Sequence, residues 1–335
     1  MSELRERSRE SGFRQGSAPH MAGRESTRGY MLDMLVALAP SILLSGVYLF
    51  GYRAFLVAGV SVAGCLAFEG LYCLLTKRPQ TIGDGSAAVT GLLLAFCLPA
   101  GVPLGTILIG DFFAIIVVKS IFGGLGRNFM NPALAGRVFL FSFPAAVTVF
   151  PAVRDWSGWQ TGVDAISAAT PLEALRGGAL PDVGLLELFT GVRGGSLGEA
   201  SAALLLLGGV YLVLRRVIQP RIPLAFLGTV AALTWLFPPA GIGAPDWMCY
   251  QLLSGGLVLG AVFMATDPVT SPITGSGQVL YGIGCGALTV FLRYYGAYPE
   301  GAAFAILIMN ACAWGLDRLI PRRSFGQTWR GRWGR

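Results

Sequence analysis

The chain has 335 residues, 54% of them hydrophobic and only 13% charged, with a formal net charge of +7. Soluble domains carry roughly a quarter charged residues, so this composition excludes an ordinary water-soluble globule. The arginines sit in short loops and in the two tails, which is the pattern of membrane topology and not of a nucleic-acid-binding face.

Residues 1–29 are polar, rich in Arg, Glu, Ser and Gly, and read as a disordered tail. No apolar stretch follows closely on the start, so no signal peptide is expected. The tail contains the single histidine, His20, so histidine-centred catalysis and histidine-ligated metal are not available. About ten apolar segments follow, near 31–50, 54–75, 84–99, 103–122, 132–150, 199–218, 222–238, 249–266, 277–295 and 300–318. Each is read as a helix crossing the hydrocarbon core of membrane lipid, about 30 Å thick. The third is short and rich in small residues, which suits a helix buried among others or a broken one. Six cysteines are scattered through these runs with no Cys-x-x-Cys, so no zinc or iron–sulfur spacing is present.

Basic residues orient the segments. Lys77 and Arg78, Arg127, the group Arg215, Arg216 and Arg221, and a basic tail at 319–335 fall on alternate connections. The positive-inside rule then puts both termini in the cytoplasm and the net acidic loop 151–198 outside.

Charged side chains inside apolar runs mark sites or ion paths. Glu69 lies in the second segment, Asp111 in the fourth and Arg137 in the fifth. Glu69 and Asp111 are candidates for an ion path; an Asp111–Arg137 structural pair is the alternative. Asp84 and Ser86 open the third segment and suit a helix cap. Asn128 and Asn131 precede the fifth segment in Arg127-Asn128-Phe129-Met130-Asn131-Pro132. Three apart, they share a face if the helix starts early, and their amides fit the imide edge of a flavin or a quinone carbonyl. Equally, one of them caps the helix before Pro132. Glycines 123, 124 and 126 allow close backbone approach.

In the outer loop, Asp164-Ala165-Ile166-Ser167-Ala168-Ala169-Thr170-Pro171 presents a threonine hydroxyl among small side chains. Thr170-Pro171-Leu172-Glu173 fits a capping box. The same hydroxyl also suits attachment of a bulky group from outside. Later, Thr266-Asp267-Pro268-Val269-Thr270-Ser271-Pro272 sets a carboxylate among hydroxyls at a helix end. Asp267 is therefore a third ion-path candidate, or simply a helix terminator.

Short echoes link the two halves. Leu98-Pro99 to Pro103 pairs with Asp267-Pro268 to Pro272, and Met130-Asn131 pairs with Met309-Asn310. These divide the chain into a first five-helix repeat at 30–150, the loop 151–198 and a second repeat at 199–318. Five is odd, so the repeats are inverted, an arrangement that builds sites near the midplane.

Four stretches together carry a family resemblance over residues 30–320. They are Asp84-Gly85-Ser86-Ala87-Ala88-Val89-Thr90, Gly124 through Ala133, Asp164 through Pro171, and Met264-Ala265-Thr266-Asp267-Pro268-Val269. The sequence resembles the family that holds the D subunit of the Rnf ion-translocating electron-transport complex and the B subunit of the sodium-pumping NADH:quinone reductase. The short N-terminal tail is more similar to the Rnf member. The resemblance implies FMN joined through its phosphate to Thr170 by a separate flavin transferase, with Ala168 where the usual motif has glycine. It implies a second, noncovalent flavin, riboflavin, to which Asn128 and Asn131 are assigned. It implies an all-α fold similar to urea transporters, and partners that are the other Rnf subunits, including a second one with covalent FMN. The expected activity is electron relay between ferredoxin and NAD coupled to Na+ or H+ movement in a bacterial inner membrane. The quinone-reductase role is the alternative within the family. A channel or carrier for a small polar solute is the rival on the same scaffold.

Overall fold

The computed structural model describes residues 27–148, 150, 170–191, 195–199, 201–296 and 300–320. Most of the tail read at 1–29 lies outside these residues, as do 321–335 and the attachment segment up to Ala169. The described part of that first tail, residues 27–29, already belongs to a helix.

The described residues form helices and no strand; a single bridge joins Pro99 to Ser196. Helix α1 (Thr27–Leu44) runs on through a π-helical turn at Ser45–Leu49. Helix α2 spans Tyr52–Leu75, α3 Ser86–Phe96 and α4 Leu104–Phe112. A π-helical stretch, Phe113–Ser120, continues α4. Helix α5 is Pro132–Leu140. Two short helices follow, α6 (Pro171–Arg176) and α7 (Leu185–Thr190). Then come α8 (Ala202–Leu214), α9 (Arg221–Leu236), α10 (Ala244–Leu253) and α11 (Leu257–Leu259), the last extended by a π turn at Gly260–Met264. Helices α12 (Gly275–Tyr295) and α13 (Ala302–Leu319) complete the chain.

Helical elements occupy each of the ten apolar stretches, but their lengths differ from uniform full spans. Among the described residues four helices, α1 with its π turn, α2, α12 and α13, are long and apolar enough to cross a membrane; α10 and α11 make a fifth if counted together across a 66° bend. The others stop short for local reasons. Helix α3 has only 11 residues, about 16 Å of rise, and is apolar and buried almost all round, as suits a helix enclosed by others. Pro132 starts α5 late, and Pro144 starts a separate turn after it.

One apolar core runs through both halves, from Met34 and Leu94 to Phe263 and Ile306. Around the outside, Leu32, Leu74, Leu207, Leu224, Phe291 and Trp314 are exposed. A belt of exposed large apolar side chains is what lipid requires, and the protein is a multi-pass membrane protein. Close packing at the centre depends on glycine: a Cβ on Gly91 of α3 would lie 2.7 Å from the Ser61 carbonyl oxygen of α2.

Candidate functional site

A cavity of about 60 Å³ opens between the start of α3, the first turns of α1, the segment 125–133 and the end of the α11 π turn. Small-molecule sites are mostly apolar with a few placed polar groups. Met31, Met34, Val89, Leu93, Leu125 and Phe263 supply apolar wall; Tyr30, Ser86, Thr90, Lys119, Asn128, Asn131 and Asp267 supply polar atoms. Apolar walls with a polar edge fit a flat ring that is greasy on its faces and hydrogen-bonding at its rim.

Three predicted site residues therefore meet here: Asn128, Asn131 and Asp267. Their roles differ. Asn131 has extended backbone and caps α5, its Oδ1 accepting from the N–H groups of Ala133 (3.0 Å) and Leu134 (3.2 Å). Its Nδ2 donates to the Met264 carbonyl at 3.3 Å, tying α5 to the π turn opposite. The helix does not start early, because Pro132 occupies its first position, so the two asparagines do not share a helical face. Asn128 stays in the loop. Its Nδ2 donates to the Met130 carbonyl at 3.1 Å, while its Oδ1 is buried with no hydrogen-bond partner. Asp267 accepts from the Val269 N–H at 3.2 Å and the Thr270 hydroxyl at 3.1 Å. Burial raises its carboxyl above the ordinary value, against those two bonds, which favour the ionised form.

Glu69 stands behind the cavity wall. Its Oε1 accepts from Lys119 Nζ at 2.8 Å and from the Thr81 hydroxyl at 2.8 Å. Lys119 also donates to Ser86 Oγ at 2.6 Å, and that hydroxyl donates on to Asp84 Oδ1 at 2.6 Å. Sequence reasoning missed Lys119. The signal was present, since it is a lysine inside the apolar run 103–122.

Asp111 lies apart from the cavity lining. It is completely buried, with Oδ1 within 2.6 Å of Ser61 Oγ and 3.3 Å of Cys65 Sγ. Its Oδ2 has no hydrogen-bond partner and sits over Gly64, where a Cβ would come within 2.6 Å. The alternative of an Asp111–Arg137 pair is wrong. Arg137 faces Glu300 at 3.7 Å and stacks over Phe141, 4.5 Å from the ring centroid.

Thr170 is buried at the N-cap of α6. The capping box is absent: the Thr170 side chain makes no capping bond, and only its carbonyl accepts from the Glu173 N–H, at 2.9 Å. Pro171 holds the first helical position and has no N–H to cap. Helix α6 packs through Leu172 and Leu175 on Trp247 and Tyr294, and Arg176 donates to the Gly296 carbonyl at 3.0 Å. These contacts put Thr170 at the C-terminal end of α12. Asp267 precedes the N-terminal end of the same helix, whose 21 residues rise about 30 Å. Thr170 and the cavity are thus separated by roughly the thickness of a bilayer core.

The chain matches the family described as NQR2, RnfD, RnfE over residues 14–326. It is 40% identical to the D subunit of the Na(+)-translocating ferredoxin:NAD(+) oxidoreductase complex of Acetobacterium woodii, covering 93% of this chain and 95% of that one. It is 40% identical to the D subunit of the proton-translocating ferredoxin:NAD(+) oxidoreductase complex of Clostridium ljungdahlii, over 94% and 96%. With the D subunit of the ion-translocating oxidoreductase complex of Stutzerimonas stutzeri, identity is 38% over 92% and 95%.

Proposed function

The chain belongs to the NQR2, RnfD, RnfE family, and on that premise we propose that it is the flavin-carrying D subunit of an Rnf-type ion-translocating ferredoxin:NAD oxidoreductase. It works within a complex of other membrane subunits, one of them a second carrier of covalent FMN. The observation that carries the reading is the pairing of two sites at opposite ends of α12: an apolar cavity with polar groups at its edge at one end and Thr170 at the other.

In this reading a flavin transferase joins FMN through its phosphate to the Thr170 hydroxyl, which no capping bond occupies. Riboflavin occupies the cavity. The unpartnered Oδ1 of Asn128 accepts from its imide edge. Asn131 serves the same site by fixing the loop, because its own oxygen is committed to α5. When bound, the flavins supply the one- and two-electron chemistry, and the protein supplies position and electrostatics. Charge moving across a 100 mV membrane potential involves about 2.3 kcal/mol per elementary charge, which links electron relay to ion movement. Glu69, Asp111 and Asp267 are the acidic stations we assign to the ion. Two relatives of equal identity are named for different ions, sodium and protons, so overall similarity does not choose between them.

The same reading extends to topology: both termini in the cytoplasm of a bacterial inner membrane, residues 151–198 outside, and two inverted five-segment halves of urea-transporter type. Contact between the echoed asparagines supports the repeat. With the Asn310 amide oriented to satisfy its neighbours, its oxygen accepts from the Asn131 N–H at 3.1 Å.

The test is flavin content of the complex purified from cells that express the transferase. Wild type should give a fluorescent band on a denaturing gel that disappears in Thr170→Ala, and extractable riboflavin that drops in Asn128→Leu. A band that survives Thr170→Ala, or a wild-type complex without flavin, overturns the reading and favours a solute channel.

A further inference from the structure

We propose that Lys119 couples negative charge in the cavity to cation uptake at Glu69; this rests on the reading of the cavity as a redox-cofactor site. Lys119 is the cationic side chain lining the cavity, and its pair with Glu69 is almost fully enclosed, with side-chain exposures of 2% and 4%. An ammonium has three N–H donors. Glu69 Oε1 and Ser86 Oγ take two of them, leaving one for an occupant of the cavity. The second oxygen of Glu69, Oε2, is buried and has no hydrogen-bond partner. Lys119 is therefore shared between a carboxylate with unused acceptor capacity and the cavity that it lines.

The rest of the surroundings are acidic. Asp84 reaches Lys119 through the Ser86 hydroxyl. Asp267 and Tyr30 line the same cavity. Asp111 and Cys65 lie deeper between α2 and α4. Among the described residues, no second Lys or Arg lines the cavity to balance them. In a low-dielectric site a new negative charge in the cavity draws on the nearest ammonium.

The charge balance is one for one. An electron delivered from reduced ferredoxin through the complex adds one negative charge to the cavity occupant. Lys119 keeps its three protons and redirects its hydrogen bonding toward that charge. Glu69, relieved of its counter-ion, takes up one monovalent cation, a proton or a sodium ion, from the side of Asp84. Withdrawal of the electron returns Lys119 to Glu69 and expels the cation. If the cation is sodium no covalent bond forms; if it is a proton the one bond made is the O–H of Glu69, broken again on release.

The experiment is a redox titration of the noncovalent flavin in the assembled complex, over a range of pH and of sodium concentration. In wild type the midpoint potential should rise with one cation: with falling pH for proton coupling, or with rising sodium for sodium coupling. Lys119→Gln should weaken binding of the reduced form relative to the oxidised form tenfold or more, a fall of about 59 mV or more for a one-electron couple. Lys119→Arg should restore most of it. Glu69→Gln should abolish the cation dependence. If Lys119→Gln does not assemble, the double variant Lys119→Gln/Glu69→Gln, which leaves no unpaired buried charge, should show the lowered potential without cation dependence. An unmoved potential at wild-type flavin content, or cation dependence that persists in Glu69→Gln, overturns the proposal. Absence of noncovalent flavin from the wild-type complex would instead remove the cofactor reading beneath it.

Discussion

Arg293 of α12 donates through Nη1 to both the backbone carbonyl and the side-chain oxygen of Gln251, the latter at 2.9 Å, and through Nη2 to the Ser254 carbonyl at 2.8 Å. It closes the last turn of α10 at the 66° bend into α11. The final carbonyls of a helix lack partners within it, and here, away from water, a guanidinium supplies them. Arg293→Met strips these bonds from buried carbonyls, and hydrogen bonds to charged groups are worth about 1.5–3 kcal/mol each. The expected loss is about 3 kcal/mol or more, read as a lowered thermal midpoint in detergent. A midpoint equal to wild type would show that the bend holds itself.

The Glu69–Lys119 pair makes a separate prediction about stability. Removing one partner of a buried pair costs about 3–5 kcal/mol, whereas replacing both with apolar residues is often neutral or stabilising. Glu69→Leu and Lys119→Met should each lower the unfolding midpoint strongly, and the double variant should regain most of the loss. Additive losses in the double variant would mean that the two side chains act independently.

The two asparagines beside the cavity should separate cleanly. Asn131→Ala removes an N-cap and the bond to the Met264 carbonyl, a loss of about 1 kcal/mol or more, and Asn131→Asp should recover only the cap. Asn128→Leu removes an unpartnered oxygen together with the bond to the Met130 carbonyl, so the midpoint should shift little while extractable flavin drops. Equal effects of both variants on stability and on flavin would contradict the division of roles.

Gly91→Ala places a methyl 2.7–2.9 Å from the Ser61 backbone in the neighbouring helix. Neither backbone can give cheaply, so the substitution should destabilise by about 1–3 kcal/mol, as overpacking does. Thermal stability of the purified complex checks this. A neutral outcome would mean that α2 and α3 slide freely.

Long apolar runs made the helical membrane class legible, and the motif stretches brought Asn128, Asn131 and Asp267 forward before any geometry. The lengths were less legible. The stretch 84–99 reads as a span by hydrophobicity alone, yet α3 stops at Phe96 and the chain beyond it makes a bridge from Pro99 to Ser196. Side-chain pairing was hidden altogether. Glu69 and Lys119 are fifty residues apart, and Asp111 and Arg137 look like partners only when burial is known and direction is not. Thr170 looked like a capping residue because its neighbours fit the pattern, but the pattern does not fix where a hydroxyl points.

The π-helical stretch Phe113–Ser120 has an implication for how this protein can change. Such widened turns usually house a single surplus residue. Excising one residue between Phe113 and Val118 would let the segment relax into regular α geometry, at no cost to the apolar pattern. Lys119 lies inside that stretch, so the tightened turns would move the ammonium relative to its carboxylate while the flanking helix keeps its register. A length polymorphism of one codon could therefore disconnect the two halves of the proposed machine while leaving a stable, well-inserted protein behind.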